Sequence, residues 1–282
     1  MSRVVGSHDT ARTCASTTEP SISSPDTARP INDSLASQEI ATKLGEAIGG
    51  TPLYLVGMMG SGKSTVGRLL SQSLAYRYFD TDDLIEKSVG APVRQIFDEN
   101  GEDLFRDLET QVLAELSQYA RSVISTGGGA VLRTENWGHM RHGIVVWLNG
   151  SPATLAARIA GADSSPDEKA NRPLLNDAED TAESTEAELA SLLETRFKFY
   201  DEADVVVPLE ADASEGGRVL SPDELVPLIC QGILDNMERK KEEVDAKKDF
   251  KIEGIPDTME VRPPVAPQDA SDGAPKGFGQ SA

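Results

Sequence analysis

Residues 57–64 read Gly57-Met58-Met59-Gly60-Ser61-Gly62-Lys63-Ser64. The pattern G-x-x-x-x-G-K-[ST] belongs to loops whose backbone wraps a phosphate. Its glycines let the chain turn tightly, and successive amide N–H groups then point inward. The flanks suit that chemistry. Leu53-Tyr54-Leu55-Val56 is a short apolar run that reads as a buried strand. From Lys63 to Ala75 the apolar positions Val66, Leu69, Leu70 and Leu74 recur at helical spacing. The helix start adds about half a positive charge where the phosphates would lie. Lys63 can reach the outer phosphates of a nucleoside triphosphate and the Ser64 hydroxyl can bind Mg2+. A nucleoside triphosphate with Mg2+ is therefore the expected co-substrate, held by Gly60, Ser61, Gly62, Lys63, Ser64 and Thr65.

Further along, strands and helices alternate. Tyr78-Phe79 reads as a second strand ending at Asp80. Two short helices follow, 83–89 and 93–99, separated by Gly90 and Pro92, then a longer one over 103–119 with Leu104, Leu108, Val112 and Leu116 stepping by four. Val123-Ile124-Ser125 and 144–148 read as strands three and four. Residues 151–159 form a helix with Ser151 as N-cap and Pro152 at its first position. Val205-Val206-Val207 is a fifth strand, and 221–248 a last helix. Such alternation predicts an α/β protein, a parallel sheet covered on both faces by helices.

Composition narrows the function. The chain has 282 residues and a net charge of -20, from 47 acidic and 27 basic side chains. That argues against non-specific nucleic-acid binding. No run approaches the ~18 apolar residues of a membrane span. Two cysteines, Cys14 and Cys230, cannot build a disulfide scaffold or a four-thiolate zinc site. The acid is concentrated: residues 161–236 carry 19 acidic against 5 basic side chains, whereas 51–160 carry 12 against 10. Residues 1–50, rich in Ser, Thr, Pro and Ala, are expected to lack structure. Their first 18 residues hold Arg3 and Arg12 against Asp9 alone, acid-poor as transit segments are. Residues 51–236 then form one domain, and 237–282 a charged helix end followed by a disordered tail. The last helix, with Leu225, Leu228, Ile229 and Leu234, can pack on the core or on a partner, so the oligomeric state stays open.

Three further patterns address an acceptor. Asp80-Thr81-Asp82 ends the second strand, where residues i and i+2 point the same way. One carboxylate can serve a metal shell and the other a hydroxyl; an N-cap is the plainer alternative. Phe105-Arg106-Asp107-Leu108-Glu109 places Arg106 and Glu109 one helical turn apart. Glu109 can orient a guanidinium fork toward a carboxylate, or the two can form an ordinary surface pair. Gly127-Gly128-Gly129 after strand three allows close backbone approach to a ligand, or is a flexible turn.

Taken in order, the phosphate loop, DTD, FRxxE, GGGAV and Asn171-Arg172-Pro173-Leu174-Leu175 resemble the shikimate kinase family over about Leu53 to Val207. Wording around Tyr54 to Gly67, Ser125 to Arg133 and Asn136-Trp137 is nearest to the plant and algal plastid form. The resemblance implies a nucleoside-monophosphate-kinase type of fold, a five-stranded parallel sheet with a lid. It implies that ATP phosphorylates the 3-hydroxyl of shikimate in aromatic amino-acid biosynthesis, in the chloroplast stroma or else the cytoplasm. Asp82 matches the aspartate that binds the acceptor diol and acts as base, and Asp80 the one that holds the Mg2+ shell through water. Arg106 and Arg196 match the arginines on the shikimate carboxylate. Gly128 matches the amide contact to shikimate, shaped by Gly127 and Gly129. Arg172 matches the lid arginine, and Arg158 resembles the one that stacks on adenine. The stretch from Gly161 to Ala170 is long and acidic beside bacterial members. Another small-metabolite kinase of this fold, or a catalytically silent relative acting as a binding module, are the alternatives; the intact Gly62, Lys63, Ser64, Asp80, Asp82 and Arg106 oppose the second.

Overall fold

A computed structural model describes residues 35–161, 182–211 and 217–248. Five parallel strands form one sheet: β1 (Leu53–Val56), β2 (Arg77–Asp80), β3 (Ser122–Ser125), β4 (Ile144–Asn149) and β5 (Val205–Pro208), in the order β2-β3-β1-β4-β5. The central β1 pairs Leu53 with Val123 on one side and with Ile144 on the other. Its four residues are all buried, which explains why it reads as an unbroken apolar run. Because β3 and β4 leave β1 on opposite sides, a crevice opens beyond its carboxyl end, where ligands bind in open α/β sheets.

Helices α2 (Lys63–Ser73), α3 (Thr81–Val89), α4 (Val93–Leu116), α5 (Thr134–Met140), α6 (Pro152–Ala160), α7 (Ala182–Tyr200) and α8 (Pro222–Lys248) accompany the strands. Ser151 caps α6 by accepting from the Thr154 amide, with Pro152 at its start, as expected. The two helices expected on either side of residue 101 run as one element, α4, bent at Gly101, whose φ is 84°. At α8, the Ser221 backbone amide and hydroxyl both donate to Glu224 Oε2 at 2.9 Å. Leu225, Ile229 and Leu234 of that helix are buried, while Leu228 stays exposed. The described residues up to Asn236 make up one compact unit, and those from Met237 to Lys248, the charged helix end, belong to another. None of the helices among the described residues is long and apolar enough to cross a membrane.

One expectation is corrected. Within the stretch read as unstructured, Leu35–Ile48 is a helix, α1. Its residues Ala41, Leu44 and Ile48 recur at helical spacing and are buried. Gly45 faces Leu74, just past the end of α2: a Cβ there would lie 4.0 Å from Leu74 Cδ2. Three docked apolar residues suffice to order a helix that local composition alone would leave marginal. Leu44 is fully buried, so Leu44→Ala is expected to lower the unfolding free energy by about 2–5 kcal/mol. Urea denaturation checks this, and an unchanged midpoint would show that α1 adds nothing to the core.

Candidate active site

Four segments meet at the carboxyl edge of the sheet. The first is the phosphate loop between β1 and α2. Gly57, Gly60 and Gly62 have φ of 148°, 77° and 84°. A Cβ on Gly60 would stand 2.9 Å from Ile159 Cγ1 of α6, so the loop's shape and its packing both require glycine there. Gly62 caps α2 without any side-chain hydrogen bond. Lys63 folds over its own loop and donates to the Gly57 and Met58 carbonyls, both at 2.9 Å. Arg158 of α6 lies above it, donating to Ser61 O at 3.3 Å and to Leu220 O at 3.2 Å. Ser61 is buried, Lys63 and Ser64 are half-buried, and Thr65 is exposed.

The second segment is Asp80-Thr81-Asp82, where the sequence argument needs amending. Asp80 ends β2, but Thr81 and Asp82 already belong to α3. The two carboxylates converge through an N-cap, not through strand alternation: Asp80 Oδ1 accepts from the Asp82 amide at 3.1 Å. Asp80 Oδ2 accepts from Ser64 Oγ at 2.8 Å and from Tyr78 OH at 2.9 Å. The cap and the metal-shell readings of Asp80 are thus compatible. Ser64 and Asp80 present hard oxygen donors side by side at the start of α2. They fit Mg2+, which takes few protein ligands and keeps several waters.

Asp82 Oδ1 is buried and has no hydrogen-bond partner among the described residues. Burial pushes the Asp82 carboxyl up to about 7, with repulsion from Asp80 and Glu109 adding to the shift and Lys63 and Arg106 opposing it. Burial also drives the Lys63 ammonium down to about 8, against the pull of Asp82 and Asp80.

The third segment is α4. Arg106 is 6% exposed and donates from NH1 to Glu109 Oε2 at 2.9 Å. Its Nε and NH2 donate to Glu102 Oε1 at 3.1 and 2.9 Å. Arg106 and Glu109 form a buried arrangement, not a surface pair. The fourth segment is Gly127-Gly128-Gly129, and its lack of side chains is structural. A Cβ on Gly129 would collide with the Arg106 guanidinium. A Cβ on Gly127 would lie 2.5 Å from Glu109 Oε1 and 2.9 Å from Asp82 Oδ1. The Gly128 carbonyl accepts from Arg196 NH1 at 3.1 Å and from Tyr200 OH at 2.6 Å, both on α7.

The structure therefore brings together Gly60, Ser61, Gly62, Lys63, Ser64, Asp80, Asp82, Arg106, Gly127, Gly128, Gly129, Arg158 and Arg196. Arg172 and the long segment before it lie outside the described residues. Sequence reasoning missed Thr81, whose hydroxyl accepts from the Gly127 amide at 3.0 Å, and Glu102 and Tyr200. It also missed helix α7 itself. For Tyr200 the one available signal was its position four residues after Arg196.

A family model described as shikimate kinase matches residues 59–231. This chain belongs to the shikimate kinase family. It is 42% identical over 188 residues to a shikimate kinase of Synechococcus sp. (strain JA-3-3Ab), covering 67% of this chain and 90% of that one. Against a shikimate kinase of Gloeobacter violaceus identity is 49% over 158 residues, 56% of this chain and 83% of the other. Among solved structures, a shikimate kinase from Acinetobacter baumannii in complex with shikimate aligns at a TM-score of 0.53 and 29% identity, over 73% of this chain and 99% of that one. The enzyme from Aquifex aeolicus gives 0.51 and 34%, over 66% and 98%. The five-stranded P-loop fold is that of the family.

The raised Asp82 pKa carries a stability signature. Between about 4 and about 7 the folded protein holds this proton more tightly than the unfolded chain does. Its contribution to stability is present at low pH and is lost as pH rises through that window. In urea titrations of the nucleotide-free protein, the stability of Asp82→Asn relative to the parent should therefore improve from pH 5 to pH 8. A gap that stays constant with pH would contradict the assignment.

Proposed function

We propose that the site transfers the γ-phosphoryl group of ATP to the 3-hydroxyl of shikimate, giving ADP and shikimate 3-phosphate, a step of aromatic amino-acid biosynthesis. The observation that carries this reading is the meeting of a phosphate loop with a buried carboxylate and two buried arginines. Asp82 offers an unpartnered oxygen to a hydroxyl donor. Arg106 and Arg196 border the glycine loop, where a carboxylate can be gripped. An acceptor with a hydroxyl and a carboxylate answers both, whereas a neutral polyol would leave the arginines unmatched.

The chain's own residues have distinct tasks. Asp82 orients the attacking hydroxyl and takes its proton. Lys63 turns from its loop carbonyls to the phosphates and balances charge on the transferring group. Arg106 and Arg196 fix the acceptor's register. Arg158 lies against the loop at Gly62, where a nucleobase can stack on it: a Cβ on that glycine would be 3.4 Å from Arg158 NH1. Mg2+, held by Ser64 and through water by Asp80, would supply charge neutralisation at the β- and γ-phosphates. Arg172, assigned from its sequence motif, would add a further cation for the phosphates. The plastid stroma is the proposed location, supported by the acid-poor first 18 residues and the cyanobacterial relatives.

ADP release from ATP and Mg2+ should rise strongly when shikimate is added, and Asp82→Asn should abolish the rise. Arg106→Ala should raise the KM for shikimate at least ~100-fold, the loss of a charge-assisted bidentate contact, with the KM for ATP within threefold. An unchanged acceptor KM would point instead to a neutral acceptor.

A further inference from the structure

The Gly128 carbonyl accepts two hydrogen bonds, one from Arg196 NH1 at 3.1 Å and one from Tyr200 OH at 2.6 Å. A carbonyl oxygen has two lone pairs, so both are used. Tyr200 is fully buried and Arg196 is 5% exposed. The tyrosine ring is held from both directions. It stacks on Trp147 of β4, with centroids 5.4 Å apart and an interplanar angle of 13°. Its hydroxyl also stands 3.5 Å from Met58 Sδ in the phosphate loop. One phenol thus touches the two loops that flank the carboxyl end of β1.

We propose that Tyr200 is a positioning residue of the acceptor site: it holds the Gly128 carbonyl so that Arg196 can leave that carbonyl for the acceptor's carboxylate. The inference rests on the shikimate reading above. Arg196 has five N–H groups and spends one on Gly128, so it loses that bond only if its fork turns to meet a carboxylate with two parallel N–H groups. If Arg196 were the sole donor, turning it to the ligand would strip the half-buried Gly128 oxygen, at the cost of an unsatisfied acceptor. With Tyr200 in place the oxygen keeps its shorter bond. The same bond fixes the loop. The peptide joining Gly128 and Gly129 is planar and trans, so anchoring its carbonyl sets the opposite direction of the Gly129 N–H. The carbonyls of Gly127 and Gly129 are held by the Ala130 and Leu132 amides at 3.1 and 3.0 Å, which leaves that of Gly128 to the side chains of α7. Thr81 holds the Gly127 amide on one side. On the other, Asn136 and Trp137 of α5 donate to the Ala130 and Val131 carbonyls at 2.8 and 2.9 Å. Tyr200 supplies the middle anchor, between these two.

Tyr200→Phe in the full chain removes the hydroxyl and keeps the stack. It should raise the KM for shikimate about tenfold, the effect of about 1.4 kcal/mol, while leaving the KM for ATP within twofold. Trp147→Phe is the comparison: it loosens the ring's packing without touching the hydrogen bond, and should lower the melting temperature while leaving the shikimate KM within twofold. If Tyr200→Phe leaves the shikimate KM unchanged, or if Trp147→Phe reproduces its shift, or if both substrates' KM values rise together, the positioning role is wrong. A parent enzyme that shows no shikimate-dependent turnover would overturn the functional reading itself, which separates the two failures.

Discussion

Gly127 separates two buried carboxylate oxygens, Asp82 Oδ1 and Glu109 Oε1, that have no hydrogen-bond partner among the described residues. Two such groups repel each other and resist burial. They persist because opposite charges surround them: Lys63 and Arg106 oppose the Asp82 shift, and Arg106, Arg196 and Arg133 that of Glu109. The rest of the site follows from this grouping. Arg106 must be present to hold Glu109 down, and Glu109 must be present to aim Arg106. The loop beside them must be glycine, since any Cβ at 127 would meet carboxylate and any at 129 would meet guanidinium. An acidic protein thereby gathers cations into one crevice by spending a few of its own acids as their partners.

That economy answers an apparent conflict in the composition. A net charge of -20 opposes binding of ATP and a carboxylate at long range. At contact distance the total matters less than the placed groups. The crevice offers loop amides, the start of α2 and side-chain cations, among them Lys63, Arg106 and Arg196. Each of these cations is engaged before any ligand arrives: Lys63 on the Gly57 and Met58 carbonyls, Arg106 on Glu102 and Glu109, Arg196 on Gly128. Neutral carbonyls are weak competitors for charged donors, so Lys63 and Arg196 are held in place yet remain free to exchange. Arg106 is different. Glu109 keeps it, and only the more exposed Glu102 can yield its place to a ligand.

The sequence made the nucleotide half legible and the acceptor half only partly so, for physical reasons. Buried parallel strands are continuous apolar runs, and a phosphate loop must be glycine at fixed positions, so β1, the loop and α2 could be read directly. FRxxE and the three glycines were visible, but the carboxylate–glycine–guanidinium packing that binds them is a tertiary fact. Helix α7 left little trace because its buried face includes Arg196 and Tyr200, a cation and a phenol, and not a simple apolar stripe. Helix α1 was hidden by the opposite effect: three docking residues, Ala41, Leu44 and Ile48, are diluted by polar neighbours. The DTD segment reaches the site by a geometry that strand alternation does not describe. Both acids do face the site, but helix capping turns them there.

The capping geometry also settles what Asp80 can do. Its Oδ1 is committed to the Asp82 amide, which ties the start of α3 to the end of β2. Its Oδ2 is shared by Ser64 and Tyr78. Ser64 would take a cation through an oxygen lone pair and keep its O–H on Asp80, while Tyr78 holds the same carboxylate oxygen from the other side. Tyr78 is itself fixed, with its ring beneath the Arg68 guanidinium at 5.2 Å and against Gly67, where a Cβ would lie 2.7 Å from Tyr78 Cε2. Tyrosines thus stand at both half-sites in the same relation to a polar group that shares its partner with a functional residue: Tyr78 beside Ser64 on Asp80, and Tyr200 beside Arg196 on Gly128. Tyr200 keeps the Gly128 oxygen satisfied if Arg196 turns to a ligand, and Tyr78 steadies the carboxylate that Ser64 also holds. A phenol suits this role because a rigid apolar ring carries its donor hydroxyl to a buried polar group. Arg196 can then move without the frame around it having to move as well.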